Sequence, residues 1–342
     1  MLPQDGQRVL DIASHGWADG SLETYGSGLL LYHAFCDAQR VPEVDRAPAS
    51  TDLIARFIAF AAGSYAGKTL RTYLAGVQAW HVLHGVAWRL DDLQSEVLLR
   101  AATALQPPSS SRKKRKPYTP SILISILSQL DPTNHFDAAV AACLTVAFYS
   151  CARLGELTVR NLSDFDPSKH AKPDDIRETT DNSGNAVTSI FIPQTKAAPC
   201  GEDIIFARQL DASDPRAALD AHLRINSPPQ RAHIFSYPHA KTRRPLTKPA
   251  FLKRVHEAMR AAGEEPLQGH GIRIGSTLFY LLRGVPFDVV KTMGRWKSDA
   301  FQLYLRKHAQ ILAPYIQAVP AIDEQFSRRI CMPPVRCTSS LS

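Results

Sequence analysis

The stretch HGIRIGSTLFYLLRGVPFDVVKTMGRWKSDAFQLYLR occupies residues 270–306. Apolar residues recur at three- and four-residue intervals through GIRIGSTLFYLLRG, PFDVVKTMG and SDAFQLYLRKH, which predicts successive helices. Along that run stand His270 and Arg273, then Arg295 and Trp296, then Tyr304. A histidine, fixed cations, an indole N–H and a phenol within one short window are groups able to act on a phosphate.

Upstream, from Tyr118, the texture is helical through SILISILSQL and AAVAACLTVAFYS. After Asn161 it turns to Asp, Pro, Ser and Gly, and there SIFIP and DIIFAR alternate apolar residues around QTKAAPCGE, predicting a β-hairpin or small sheet. Helical periodicity resumes in DPRAALDAHLRI and TKPAFLKRVHEAMRAAG. Near the amino end, LETYGSGLLLYHAFCDAQ, TDLIARFIAFAAG, KTLRTYLAGVQAWHVLHG and DLQSEVLLRAATAL predict a four-helix bundle. Thr51 and Asp52 offer N-cap oxygens for its second helix, and Gly63, Gly67 and Gly85 mark helix ends. Between the two regions, QPPSSSRKKRKPYTP combines prolines, serines and the consecutive cations Arg112, Lys113, Lys114, Arg115 and Lys116, a composition that extends the chain. The expected organisation is a helical domain over 1–105, a basic linker over 106–117, a catalytic domain over 118–320 and a flexible tail over 321–342. The fold class is mainly α, with a small β-sheet or hairpin in the second domain.

A chain of 342 residues is long enough for two domains with separate cores. Its 44% hydrophobic and 21% charged content excludes a disordered chain. Forty Lys and Arg against 32 Asp and Glu favour a polyanionic partner. Cys36, Cys143, Cys151, Cys200, Cys331 and Cys337 form no CxxC pair, which argues against a zinc ribbon or a disulfide scaffold. Cys143 and Cys151, in an alanine-rich apolar stretch, read as small core residues. The start MLPQDGQRVLD lacks a secretory pattern, and the longest apolar run, Ala138 to Tyr149, is too short for a bilayer. A reducing intracellular compartment is the expectation. The basic cluster reads as a solvated tether, a strap on DNA phosphates or a nuclear-import signal, and the last of these gives a nuclear location.

Breaking a phosphodiester without a metal places charge on the non-bridging oxygens, so rigid donors must already point there. Arginine gives bidentate contact and keeps its proton. The leaving oxygen needs a proton donor, and an attacking phenol must lose its proton. Arg153 in CARLGEL, Lys196 in PQTKAAP, His270, Arg273 and Tyr304 match those roles in kind. The set calls for no metal and no cofactor.

The window from His270 resembles the C-terminal signature of the tyrosine recombinase (phage integrase) family: His-x-x-Arg, a Gly followed by His or Trp, then a nucleophilic Tyr. The forms RIGS and GRWKSDAF most resemble eukaryotic mobile-element recombinases of the DIRS-like and Crypton types. FYSCARLGEL resembles the family's first arginine box, with Arg153 as catalytic arginine and Glu156 as its supporting acid. The resemblance implies a two-domain clamp on double-stranded DNA, with a helical core-binding domain of SAM-like type at the amino end. It implies that Tyr304 attacks to give a 3′-phosphotyrosyl link and that Arg153 and Arg273 hold the phosphate oxygens. Lys196, placed by the family on a β-hairpin turn, would protonate the leaving oxygen, with His270 assisting. Trp296 would donate its indole N–H to the phosphate or buttress the tyrosine helix. A homotetramer assembled on DNA is also implied.

Taken singly, the residues keep other readings. Arg153 and Glu156 suit a surface ion pair, His270 a structural histidine and Trp296 a core residue. Lys169 and Lys172 compete with Lys196, and Tyr280 and Tyr315 with Tyr304. In many family members the His or Trp stands nine residues before the tyrosine; here Arg295 does, and Trp296 stands eight before it. Arg295 is therefore kept as a supporting residue. Ile274 follows Arg273 where bacterial members often carry a histidine. Rival functions are a type IB topoisomerase, a DNA-binding protein that has lost catalysis, and a helical RNA-binding or scaffold protein.

Overall fold

Contacts divide the chain into Met1–Lys114 and Arg115–Ser342. The structure, a computed structural model, describes residues 19–90, 92–110, 115–196, 198–298 and 308–312, with residues 8, 11, 12 and 15–17 before them. Arg112, Lys113, Lys114, Tyr304 and Tyr315 lie outside the described residues, as does most of the helix expected over SDAFQLYLRKH.

In the first unit, α1 (Asp19–Ala38) packs chiefly on α4 (Gly67–Leu83). The short α2 (Glu43–Arg46), α3 (Thr51–Ala61) and α5 (Asp92–Ala104) complete the described helices of this unit. Tyr32, Phe35, Phe57, Leu70 and Val77 fill the core, drawn from the apolar stripes that the spacing predicts. Two local expectations are corrected. The N-cap of α3 is Ser50, whose side chain accepts from Leu53 N at 3.1 Å; Thr51 donates instead to the Arg89 carbonyl, and Asp52 pairs with Arg56. Gly67 opens α4 rather than ending a helix, because Thr103 of α5 lies where its side chain would be.

The second unit is built on α7 (His135–Tyr149), buried along nearly all of its alanine-rich length. Small residues let neighbours approach from every side, and α7 packs most extensively on α8 (Pro215–Asn226). Around this pair lie α6 (Pro120–Leu127), α9 (Lys248–Ala261), α10 (His270–Leu282), α11 (Phe287–Met293) and α12 (His308–Leu312). The expected hairpin is the second half of an antiparallel sheet, β1 (Ile176–Thr180), β2 (Ala186–Ile192) and β3 (Glu202–Phe206), in that order. Ile190, Ile192, Ile204 and Phe206 turn one face of β2 and β3 into the core. β1 escapes sequence reading because IRETT is an exposed edge with no apolar alternation. A hairpin of β4 (Tyr237–His239) and β5 (Thr242–Arg244) escapes it because three residues are too few to show a period. The mainly α class with small antiparallel sheets is what the described residues show. No helix among them is long and apolar enough to cross a membrane. Cys36, Cys143, Cys151 and Cys200 are free thiols, the first three buried.

Behind α7, His222 donates through Nε2 to the Ile234 carbonyl and accepts at Nδ1 from Asn226 Nδ2, while His233 is walled in by Phe165 and Phe235. Burial pushes His222 down to about 4 and His233 down to about 3, the latter helped by His170 and His222. Both are neutral in the fold, whereas an unfolded histidine titrates near ~6.5. Their contribution is complete above that value and is lost as pH falls, at roughly 1.4 kcal/mol per pH unit for each ring. Urea unfolding of the protein is therefore expected to move to lower midpoints between pH 7 and 5; an unchanged midpoint would mean that these rings are protonated at little cost.

Candidate active site

Helix α7 delivers Arg153. Its C-terminus closes with Cys151 N–H on the Phe148 carbonyl and Ala152 N–H on the Ala147 carbonyl, and Cys151 takes a φ of 52° where glycine is usual. The chain reverses there and enters a single 3₁₀ turn, Leu154–Glu156. The Glu156 carboxylate reaches back to accept from Arg153 N at 2.9 Å and Arg153 Nη1 at 2.8 Å. Glu156 is buried, so the pair is no solvated surface bridge. A third donor, Arg295 Nη2, lies 2.5 Å from the same carboxylate. Burial would raise the Glu156 carboxyl, but the charge of Arg295 and the hydrogen bonds from both arginines outweigh it and hold it below its usual range.

His270 and Arg273 lie on one face of α10, three residues apart. Gly271 and Gly275, four apart, form another face, and the Lys116–Tyr118 segment crosses it. A Cβ at Gly275 would stand 2.0 Å from the Tyr118 carbonyl oxygen, and one at Gly271 2.6 Å from that of Lys116. The contact is fixed by Tyr118 N–H on the Gly271 carbonyl at 3.1 Å and the Tyr118 phenol on the Leu267 carbonyl at 3.1 Å. The end of the basic stretch is thus packed on the helix that carries His270, and Lys116 pairs with Glu265.

Helix α11 supplies Arg295 and Trp296 through its C-terminal turn. Arg295 N–H bonds the Thr292 carbonyl, Trp296 N–H the Lys291 carbonyl, and Arg295 itself takes φ 55°. This left-handed position usually holds glycine; here Gly294 precedes it, so the arginine side chain turns inward toward Glu156. The Trp296 ring lies against Gly294, which has no space for a side chain, and covers the Arg273 guanidinium at 4.2 Å. Arg273 Nη2 donates to the Gly294 carbonyl.

These elements line one cleft of about 680 Å³, together with the β2–β3 loop. Arg153, Lys196, His270, Arg273, Arg295 and Trp296 all face it. Lys248 and Lys297 do as well, and sequence reasoning missed both. Lys248 is placed by a parallel bridge between Val159 and Thr247, with Lys248 N–H on the Val159 carbonyl at 2.8 Å, a long-range contact with no local signal. Lys169 and Lys172 are not in the cleft; they pair with Asp166 and Asp175. Tyr280 is not in it either, since its phenol donates to the Tyr149 carbonyl at 2.7 Å and burial raises its pKa.

The cleft is strongly cationic. Burial, then the nearby Arg153, pulls Arg273 down to about 10, so it remains charged at neutral pH. Arg273 Nη1, Arg295 Nε and Arg295 Nη1 are buried with no hydrogen-bond partner among the described residues. Buried donors of this kind are costly unless an acceptor arrives. Burial lowers His270, and Arg115, Arg273, Arg153 and Lys248 lower it further. The arrangement can therefore seat a tetrahedral oxyanion. Among the described residues no group of three His, Cys, Asp or Glu is set to hold a metal ion.

No protein-family model matches the chain, and no curated protein does. Solved structures do. The XerH site-specific recombinase bound to a palindromic difH substrate in a post-cleavage complex aligns with 89% of this chain and 78% of its own, at 14% identity and a TM-score of 0.53. A lambda integrase(75-356) dimer bound to a COC′ core site aligns with 87% of this chain and 96% of its own, at 16% identity and a TM-score of 0.49. For a FLP recombinase–Holliday junction complex the chain spans less than half of that protein, 44%, at 17% identity and a TM-score of 0.37. The first likeness shows a shared fold.

Removing the central carboxylate leaves buried guanidinium groups uncompensated, so Glu156→Ala is expected to lower unfolding stability by roughly 3–5 kcal/mol in denaturant titrations. Glu156→Gln, which keeps one acceptor oxygen but no charge, should lose less. For His270, an anion between it and the surrounding cations relieves their repulsion. Its pKa, followed by NMR, is expected to rise when inorganic phosphate saturates the protein; no change would place the anion elsewhere.

Proposed function

We propose that this protein is a site-specific DNA recombinase that cuts and rejoins double-stranded DNA through a transient 3′-phosphotyrosyl link. The observation that carries the reading is the convergence of Arg153, Lys196, His270, Arg273, Arg295 and Trp296, scattered over half the sequence, on one cationic cleft. The fold shared with XerH, a site-specific recombinase captured on DNA after cleavage, supports it.

In this mechanism Arg153 and Arg273 hold the non-bridging oxygens of the scissile phosphate, and the unpartnered Nη1 of Arg273 gains its acceptor there. The Tyr304 oxygen attacks phosphorus, the bond to the 5′ oxygen breaks, and a 5′-hydroxyl leaves with a proton from Lys196. His270, whose pKa is lowered by burial and then by the nearby cations, takes the phenol proton. Trp296 stacks on Arg273 and fixes its fork. Tyr304 lies outside the described residues and enters from its place in the sequence motif. Because the new ester keeps the energy of the old one, a 5′-hydroxyl can reverse the step with no cofactor. Exchange between two duplexes calls for a tetramer on DNA. The boundaries drawn from the sequence, a DNA-gripping domain over 1–105 and a catalytic domain over 118–320, belong to this proposal. So do phosphate contacts by Arg112, Lys113, Lys114, Arg115 and Lys116, although Lys116 must first leave Glu265. The RIGS and GRWKSDAF forms support a mobile-element origin, and the basic stretch supports a nuclear location.

Incubated with a library of randomised, nicked duplexes, the protein is expected to form a denaturation-resistant adduct that mass spectrometry maps to Tyr304. Tyr304→Phe should form none, and Arg273→Ala should lose cleavage while keeping most DNA affinity. Equal loss of affinity and cleavage in Arg273→Ala, or an adduct that survives Tyr304→Phe, would overturn the mechanism.

A further inference from the structure

Lys196 sits on an exposed loop between β2 and β3, where a flexible four-carbon side chain has no packing of its own to fix it. The loop is nevertheless tied at Thr195. The Thr195 hydroxyl donates to Glu202 Oε1 at 2.5 Å and accepts from Ala198 N at 3.0 Å, and Thr195 N–H bonds the Ala198 carbonyl at 3.0 Å. Glu202 opens β3 and stands opposite Ile192 of β2, so the sheet holds its backbone. The same Glu202 Oε1 lies 3.6 Å from Arg295 Nη1, while Arg295 Nη2 grips Glu156. Thr195 is 7% exposed and the Arg295 side chain 8%, so water competes little with these contacts.

We propose that Glu202 is a positioning residue: it latches the Lys196 loop, through Thr195, onto Arg295 and so sets where the Lys196 amine stands relative to the arginines. This rests on reading Lys196 as the donor of the leaving-group proton. A lysine displaced by an ångström still contributes charge to the cleft but no longer reaches the departing oxygen. Through this latch Glu202 acts on protonation of the 5′ oxygen.

Two measurements test it. The first needs no DNA: trypsin cuts after Lys196, and the rate reports how often the loop opens. Losing one buried charge-assisted hydrogen bond is expected to speed this cut roughly tenfold in Glu202→Ala. The isosteric Thr195→Val should behave alike, and Thr195→Ser should retain the slow rate. Rates equal to the unaltered protein's in both Glu202→Ala and Thr195→Val would overturn the latch. The second compares cleavage of ordinary duplexes with duplexes carrying sulfur at the 5′ bridging position. A thiolate leaves without a proton, because a thiol's pKa is near ~8.5. The defects of Glu202→Ala and Thr195→Val are expected to vanish on the sulfur substrate, as that of Lys196→Ala does. A Glu202→Ala defect that persists while Lys196→Ala is rescued would overturn the positioning role. Failure of the unaltered protein to cut either duplex would instead sink the recombinase reading, and the trypsin rates would still decide the latch.

Discussion

A single buried carboxylate, Glu156, organises the cleft. Three guanidinium groups cannot share so small and dry a space without a counter-charge, since their repulsion is barely screened there. Glu156 answers Arg153 through two hydrogen bonds and Arg295 through a third, and the charge of Arg295 with these bonds holds its pKa down against burial. Arg273 is left out of that exchange. Its contacts are a backbone carbonyl and the face of Trp296, neither of which cancels a full charge, and one of its nitrogens has no partner among the described residues. The balance leaves the cleft short of negative charge at the one arginine most deeply buried. An oxyanion beside Arg273 would supply the acceptor that its Nη1 lacks among the described residues.

The second constraint is steric. The face of α10 bearing His270 and Arg273 can look into the cleft only if the helix is held from another side. The glycines at 271 and 275 allow the backbone of Lys116–Tyr118 to lie directly on the helix, closer than any side chain permits. That contact also brings Arg115 near enough to His270 to lower its pKa. In HGIRIG the glycines and the two isoleucines therefore belong to packing, while His270 and Arg273 face the cleft.

Much of this was legible in the chain. Residues with strong apolar periods became helices close to their expected spans, because burial of one stripe dictates both period and partner. The candidates Arg153, Lys196, His270 and Arg273 came together because each sits at the end of a regular element or in a tight loop, where side chains converge. What stayed hidden depends on contacts distant in sequence. Lys248 enters through the Val159–Thr247 bridge, the edge strand β1 has no apolar face to announce it, and Ser50 takes a cap that Thr51 could equally have offered. Tyr118 gave no sign that it would cross α10, since that needs both glycines and a partner some 150 residues away.

Arg295 and Trp296, alternatives in the sequence, take different places in the cleft. The arginine at 295 brings a permanent charge into a site already holding two. The fold meets that charge twice: a left-handed residue after Gly294 turns the side chain inward, and two carboxylates, Glu156 and Glu202, stand on either side of it. Trp296, one position later, is then free to lie over Arg273. A histidine at 295 would remove the guanidinium that faces Glu202 beside the loop bearing Lys196. Arg295 and the carboxylate at the start of β3 thus meet in one ion pair, beside the loop that bears Lys196.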